Sequence, residues 1–299
     1  MSAMVDQDLK KIKIGFIGGG NMASAIGAGL IRKNVLTPEN VWISSRTDRT
    51  HRFWRDLGAK PTFNNSQVVD NCDVVFLSVK PQMLEDAFET IKSTTGEKFE
   101  SKLFISVLAG VPLEVLYAKI GWIVNSPRIV RTMPNMPMMV GEGIIVYCSN
   151  ENATSMDLQL IDKLFSYIGM SQNVPESLMN AVGSLSGCGP AFAYSIIEAL
   201  ADGAVRMGVP RPMATKFAAQ VLIGAGKMVL ETGRHPGQLK DEVCSPGGTT
   251  ITGIHAIEIG GVRGSMMNAI EAAVKRSNEL TALSQNNFEN NFEKKLDPK

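Results

Sequence analysis

The sequence predicts an α/β fold built on a mostly parallel sheet, followed by an all-α second half, and three observations carry that prediction. From Lys11 to about Gly143, short β-type runs alternate with helical stretches, the order that produces parallel strands joined by helices. The runs are apolar throughout rather than alternating, as strands are when helices cover both faces. After roughly Gln172 the strand signals stop, and long Ala-, Leu- and Met-rich segments take over.

Taken in order, strands are expected at Lys13–Ile17, Val41–Ser44, Val74–Val79, Phe104–Leu108 and Ile129–Thr132, with Ile144–Tyr147 closing the sheet. An amphipathic helix follows the first strand over Met22–Arg32. Later helices are expected at Pro190–Met207, Met213–Thr232, Thr250–Gly260 and Val262–Leu280. Their ends are marked by Gly208-Val209-Pro210, Gly233-Arg234-His235-Pro236 and Gly260-Gly261, which stop one helix and restart the next. The 299 residues exceed the ~100–150 usual for one domain. The expected division is therefore 1–172 for the α/β domain and 173–283 for the helical domain, with 284–299 as a polar, Asn-rich tail holding too little apolar surface to order. A helical half this apolar has difficulty covering its own faces, so it is expected to bury part of them against a second copy. The alternative is a bundle closed on itself.

With 30 basic against 29 acidic residues, no global field gathers nucleic acid or an anionic membrane. Apolar runs such as Val74-Val75-Phe76-Leu77 fall far below the ~20 residues of a membrane span. The first residues show neither an apolar core nor an Arg-rich amphipathic pattern, so the reading is cytoplasmic. Cys72, Cys148, Cys188 and Cys244 are far apart and form no CxxC pair, and only His51, His235 and His255 accompany them. That is neither a disulfide framework nor a metal site.

Directly after the first strand, Gly18-Gly19-Gly20-Asn21-Met22-Ala23 reads G-x-G-x-x-A. The first glycine permits the tight turn, the second lets backbone amides approach a pyrophosphate, and Ala23 lets helix and strand pack closely. Strand before and helix after make this a Rossmann-type nucleotide fingerprint rather than a bare glycine turn. The second strand ends in Ser44-Ser45-Arg46-Thr47, where an NAD-binding chain would carry an acid for the ribose hydroxyls. Hydroxyls with a guanidinium suit a 2′-phosphate, which favours NADPH. Asp48 keeps NADH open, and Arg46 alternatively only solvates its loop. Further strand ends face the same crevice through Val79-Lys80-Pro81, Ala109-Gly110 and Met133-Pro134-Asn135. Lys80 is either near the cofactor or an ordinary solvated lysine, and Asn65 is either an adenosine-side contact or a turn former.

In the helical half, Ser245-Pro246-Gly247-Gly248-Thr249-Thr250 leads into a helix. Backbone N–H groups and hydroxyls there can hold a small carboxylate, or the residues can simply cap the helix. Ser184-Leu185-Ser186-Gly187-Cys188-Gly189-Pro190 looks like a second small-residue loop, with Pro190 in the first turn of the helix from Ala191.

These motifs, above all the run from Pro236 to Glu258, make the chain resemble the pyrroline-5-carboxylate reductases, from Gly18 to about Leu280. The resemblance implies reduction of 1-pyrroline-5-carboxylate to L-proline by hydride transfer, the final step of proline biosynthesis. It implies that Ile17, Gly18, Gly19, Gly20, Asn21, Met22, Ser45, Asn65, Val79, Lys80 and Ala109 contact the cofactor; Arg46, Pro81 and Gly110 join them from the crevice argument. It implies that Glu176, Thr249 and Thr250 contact substrate, with Thr250 giving a hydrogen bond or proton to the ring nitrogen; Ser245, Gly247 and Gly248 join them through the carboxylate-binding bend. Thr249 can replace Thr250 with a small change of loop path. Glu242 departs from the family, where some relatives have Asn reaching toward the cofactor. The resemblance further implies a homodimer interlocked through the C-terminal helices, in relatives often stacked into a ring of dimers, up to a decamer of dimers. Two other readings compete. A 3-hydroxyacid or 6-phosphogluconate-type dehydrogenase would need a catalytic lysine early in the helical domain, and Gly183–Tyr194 holds none. The other is a non-enzymatic nucleotide-sensing dimer.

Overall fold

The computed structural model describes the backbone of residues 9–95 and 98–296, and the side chains of that range outside 92–95 and 289–296. Two units emerge from it, Met1–Gly187 with Val274–Lys299, and Cys188–Ala273.

The first unit is built on an eight-stranded sheet of order β3-β2-β1-β4-β5-β6-β7-β8. Its strands are β1 Ile14–Ile17, β2 Val41–Ser44, β3 Lys60–Thr62, β4 Val74–Leu77, β5 Leu103–Ser106, β6 Arg128–Met133, β7 Gly143–Ser149 and β8 Gly169–Asn173. All neighbours run parallel except β6 and β7. In the central strands the side-chain period of two sends alternate residues to opposite faces, and both faces are buried. Ile14 and Phe16 of β1 belong to one core with Phe76, Ile105 and Trp54; Ile17 belongs to the other with Val75, Leu77, Phe104 and Ile129. Phe16 stacks on Phe76 at 4.7 Å between ring centroids, and each such fully buried side chain stabilises the fold by roughly 1.5–3 kcal/mol.

The helices are α1 (residues 21–32), α2 Asp48–Asp56, α3 Asn65–Asn71, α4 Leu84–Thr95, α5 Leu113–Ile120 and α6 Ser155–Ser166. The middle of α1, Ser24–Ala28, winds as π turns, a local widening common beside functional sites. A capping box starts α6, with Thr154 and Asp157 bonding each other's backbone, so two orphan donors of the first turn are satisfied.

β3 and β8 are additions to the expected strand set, and β8 rather than Ile144–Tyr147 closes the sheet. Both lie at edges. Lys60-Pro61-Thr62 is short with a proline and Gly169–Asn173 is mostly polar, the character that keeps a sheet edge from recruiting another strand but erases the apolar signal.

Beyond the sheet run α7 Met179–Arg206, α8 Arg211–Thr232, α9 Pro236–Val243, α10 Thr249–Ile259 and α11 Val262–Leu296. Ser184–Pro190 is not a loop, because α7 passes straight through it with Pro190 inside. The hydroxyls of Ser184 and Ser186 donate to Asn180 and Gly183 carbonyls of their own helix, which is how serine is accommodated mid-helix. Contacts group the chain with the sheet as far as Gly187, past the residue 172 at which the division is expected. Met179 is fully buried with Val146 and Cys148, tying the start of α7 to the sheet.

The polar tail from 284 is likewise helical to Leu296. Phe288 packs against the core and shares a cavity lining with Leu84 of α4 and Val115 of α5, and extending an existing helix costs far less than nucleating one. Among the described residues no helix is long and apolar enough to cross a membrane.

Candidate active site

The carboxyl ends of β1, β2 and β4 surround a crevice of about 470 Å³. At its floor Gly18 turns with φ +101°, and a Cβ there would lie 2.8 Å from the Ser78 carbonyl and the Val79 nitrogen. Only glycine fits such a turn. The Ser78 hydroxyl donates to the carbonyl oxygens of Gly18 (2.7 Å) and Ile17 (3.2 Å), and the buried indole of Trp54 donates to Gly19 at 3.2 Å. The turn is thereby fixed before any ligand arrives. Gly20 is the N-cap of α1, no side chain caps it, and space beside it is open. The first-turn amides of α1 are left for an anion, and the helix dipole favours negative charge there. Asn21 is exposed and Met22 half-buried at this mouth, while Ile17 is core.

On the β2 side the Ser45 hydroxyl is buried without a hydrogen-bond partner. Arg46 is exposed, its guanidinium 3.2 Å from the Met83 sulfur, and among the described residues no ion pair engages it. The Thr47 and Thr50 hydroxyls lie 2.9 Å apart on the same wall. An orphaned hydroxyl, a guanidinium that no ion pair among the described residues engages and two further hydroxyls fit a phosphate ester, and the group these residues fit is the 2′-phosphate of NADP(H). Asn65, Val79 and Lys80 complete the crevice. The turn former beside them is Asn64, whose side chain accepts from the Ser66 nitrogen at 2.8 Å, which leaves Asn65 to line the wall.

Pro81, Ala109 and Gly110 line a neighbouring cavity of about 530 Å³ instead, together with the C-terminal part of α11.

Glu176 is engaged within the first unit. Its Oε1 accepts from the Leu113 nitrogen at 2.8 Å, at the start of α5, and from the Arg131 guanidinium at 2.9 Å. The Arg131 side chain is 3% exposed against 37% for Glu176, so the carboxylate compensates a charge that water barely reaches. Arg131 also donates to Asn180 Oδ1. Nearby, burial pushes the Cys148 thiol up to about 12, with the Glu176 charge acting in the same direction and Arg131 opposing it.

In the second unit, Gly247 has φ +67° and Gly248 donates to the Ser245 carbonyl at 3.0 Å, so Ser245–Gly248 forms a tight turn. Gly248 is the N-cap of α10, again without a side-chain cap. Ser245 and Thr249 are exposed and Thr250 is half-buried. This is a second helix N-terminus with unclaimed donors, chemically suited to a carboxylate. Glu242 is held by Arg234 through both carboxylate oxygens, and that hydrogen bond, outweighing desolvation, keeps its carboxyl below the usual range.

Sequence reading missed Trp54 and Met83. Trp54 was legible in retrospect, since His51 and Trp54 form the one buried stripe of a highly charged α2. Met83 carries no sequence signal. Among the described residues no cluster of His, Cys, Asp or Glu forms a metal site.

On the helical unit, Met213, Phe217, Val221 and Met228 are each 48–60% exposed, and their spacing puts them along one stripe of α8. An exposed apolar stripe on a helix has the character of an association surface.

The family model described as pyrroline-5-carboxylate reductase dimerisation matches residues 176–280. One described as NADP oxidoreductase, coenzyme F420-dependent, matches 13–110. A pyrroline-5-carboxylate reductase of Methanosarcina acetivorans is 45% identical over 90% of this chain and 97% of its own, and one of Glycine max is 44% identical over 90% and 96%. Among solved structures, the Plasmodium falciparum pyrroline carboxylate reductase with NADP bound superposes with a TM-score of 0.79 at 31% identity, over 91% of this chain and 99% of that one. That of Coxiella burnetii gives 0.80 at 34% identity, over 90% and 98%.

Proposed function

Because the chain belongs to the pyrroline-5-carboxylate reductase family, we propose that it reduces 1-pyrroline-5-carboxylate to L-proline with NADPH, the final step of proline biosynthesis. The observation that carries the reading is the pairing of full-length similarity with a crevice whose unclaimed donors fit NADP(H). It is an oxidoreductase that works as a homo-oligomer through its helical part. A ring of dimers is the extension of that assembly that the family implies, and light scattering of the purified chain measures it. The four unpaired cysteines support a cytoplasmic setting.

The cyclic imine is basic, and once protonated its carbon is electrophilic, so the protein's task is positioning. NADPH, when bound, supplies the hydride that adds to this carbon, and the nitrogen keeps the proton, so that the C=N bond becomes the CH–NH of proline. The Gly18–Met22 turn and the first-turn amides of α1 hold the pyrophosphate; Ser45 and Arg46 hold the 2′-phosphate. The Gly247–Thr250 amides and hydroxyls hold the substrate carboxylate, and the Thr250 hydroxyl donates to the ring nitrogen of the unprotonated imine and accepts from its N–H once that nitrogen is protonated. Transfer requires ring and nicotinamide to meet in the assembled enzyme.

The test is the loss of reduced-nicotinamide absorbance when pyrroline-5-carboxylate is added to the purified chain with NADPH; no loss rejects the reaction. Thr250→Ala lowers kcat/KM by roughly 10²–10³, the size of one preorganised donor, with NADPH affinity retained. Wild-type turnover by that variant rejects the role of Thr250.

A further inference from the structure

The matched dimerisation region stops at residue 280, where α11 reaches the Ala109–Gly110 turn. Gly110 has φ +75°, and a Cβ on it would lie 3.2 Å from Leu280 Cβ and 3.5 Å from the Leu280 carbonyl carbon. Turn and helix are in direct contact, and glycine is what allows both the backbone conformation and the approach.

Residues 278–288 are fastened on both sides of that contact. Around the contact itself, the Asn180 amide donates to Asn278 Oδ1 at 2.9 Å and Thr281 Oγ1 at 3.2 Å, while Asn180 itself accepts from buried Arg131. Downstream, Phe288 packs against the core and lines one cavity with Leu84 of α4 and Val115 of α5, with Lys119 Nζ 5.6 Å from its ring. Lys119 is 10% exposed in its side chain and paired with Glu85 of α4, so a desolvated cation faces the ring where such contacts are strongest. Between the two fastenings, Leu283, Ser284 and Asn287 wall the cavity that Pro81, Ala109 and Gly110 line from the other side. A helix end that only kept the protein soluble would need neither fastening.

We propose that residues 280–288 form a strut that positions the Ala109–Gly110 turn, and through it the nicotinamide end of the cofactor, with Phe288 as the positioning residue. The proposal rests on the reading that a dinucleotide with its pyrophosphate on the Gly18–Met22 turn and its adenosine end toward β2 extends over the carboxyl ends of β4 and β5, so that the turn after β5 borders its nicotinamide. The residues read as holding the adenosine and the 2′-phosphate line the separate crevice around Ser45 and Arg46, so the strut governs alignment for transfer rather than overall cofactor affinity. Misplacement by about 1 Å costs as much as 10²-fold in rate.

The experiment uses the full chain. Phe288→Ala is expected to lower kcat by roughly 10-fold or more, while the Kd for NADP⁺, read by intrinsic fluorescence, and the KM for pyrroline-5-carboxylate change less than about 3-fold, under half the ~1.4 kcal/mol of a tenfold change. Hydrogen exchange at the amides of 109–113 accelerates in the same variant without any ligand. Phe288→Leu, which keeps the packing, restores most of kcat. Unchanged exchange at 109–113 overturns the strut, and so does faster exchange with kcat intact, which makes the segment purely structural. A general rise in exchange across the sheet, or a parallel loss of NADP⁺ binding, also overturns it. Exchange and NADP⁺ binding are read without turnover, so failure of the wild-type chain to reduce pyrroline-5-carboxylate refutes the reaction separately from the strut.

Discussion

Removing the carboxylate of Glu176 separates two roles for that residue. By resemblance it is a substrate contact; in the structure it caps α5 and balances Arg131. Glu176→Ala removes the acceptor for the Leu113 amide, worth about 1 kcal/mol as a helix-start bond. It also strands the Arg131 charge, 3% exposed in its side chain. Breaking a fully buried pair costs about 3–5 kcal/mol, but the Glu176 side chain is 37% exposed and solvent screens the pair, so about half applies. The sum is near 3 kcal/mol, or roughly 6–12 °C of Tm at the ~2–4 °C per kcal/mol of a unit this size. Glu176→Gln keeps both acceptor contacts and loses only the charge, so about a third to a half of that drop is expected. Arg131→Met placed on Glu176→Ala recovers part of the loss, because no buried charge remains. The assay is thermal unfolding of the ligand-free enzyme, with KM for pyrroline-5-carboxylate measured alongside. A Glu176→Ala enzyme melting within about 1 °C of wild type, below the shift of even 1 kcal/mol, and showing only a raised substrate KM would refute the structural role and leave Glu176 a substrate ligand.

Three other outcomes follow from the same geometry. Arg46→Asp weakens NADPH relative to NADH by roughly 10- to 100-fold, the loss of one charge-assisted phosphate contact, as read from the ratio of the two KM values; an unchanged ratio removes the 2′-phosphate argument. Gly18→Ala forces a Cβ to 2.8 Å from the Ser78 carbonyl at φ +101°, costing about 1–2 kcal/mol of backbone strain plus about 1–3 of repacking, so it loses NADP⁺ binding, and titration showing wild-type affinity contradicts the built turn. Burial raises the Cys72 and Cys148 thiols from 9.0 to about 12; their stabilisation is complete below pH 9.0 and is lost as pH rises from there toward 12, and both thiols stay closed to alkylating reagents until the protein unfolds, which mass mapping of native protein at neutral pH checks.

The sequence by itself determined the parallel sheet, the nucleotide turn and the donor-rich bend before α10. Each is written locally, in apolar runs of strand length, in Gly18-Gly19-Gly20 before a helix, and in glycines and hydroxyls at a helix start. Conformational demands that a residue meets with its own backbone leave a mark on the sequence. The edge strands β3 and β8 left none, since an edge requires polar or proline residues that read as loop. Ser184–Pro190 read as a loop because glycine and proline are poor helix formers, and only the surrounding helix overrode that preference. What the tertiary structure alone decided is which distant groups meet: Trp54 with Gly19, Glu176 with Arg131 and the start of α5, Phe288 with Lys119, Leu280 with Gly110. Those partners are between 35 and 170 residues apart in the chain, and pairing over such separations is set by how whole elements pack, which no local pattern encodes.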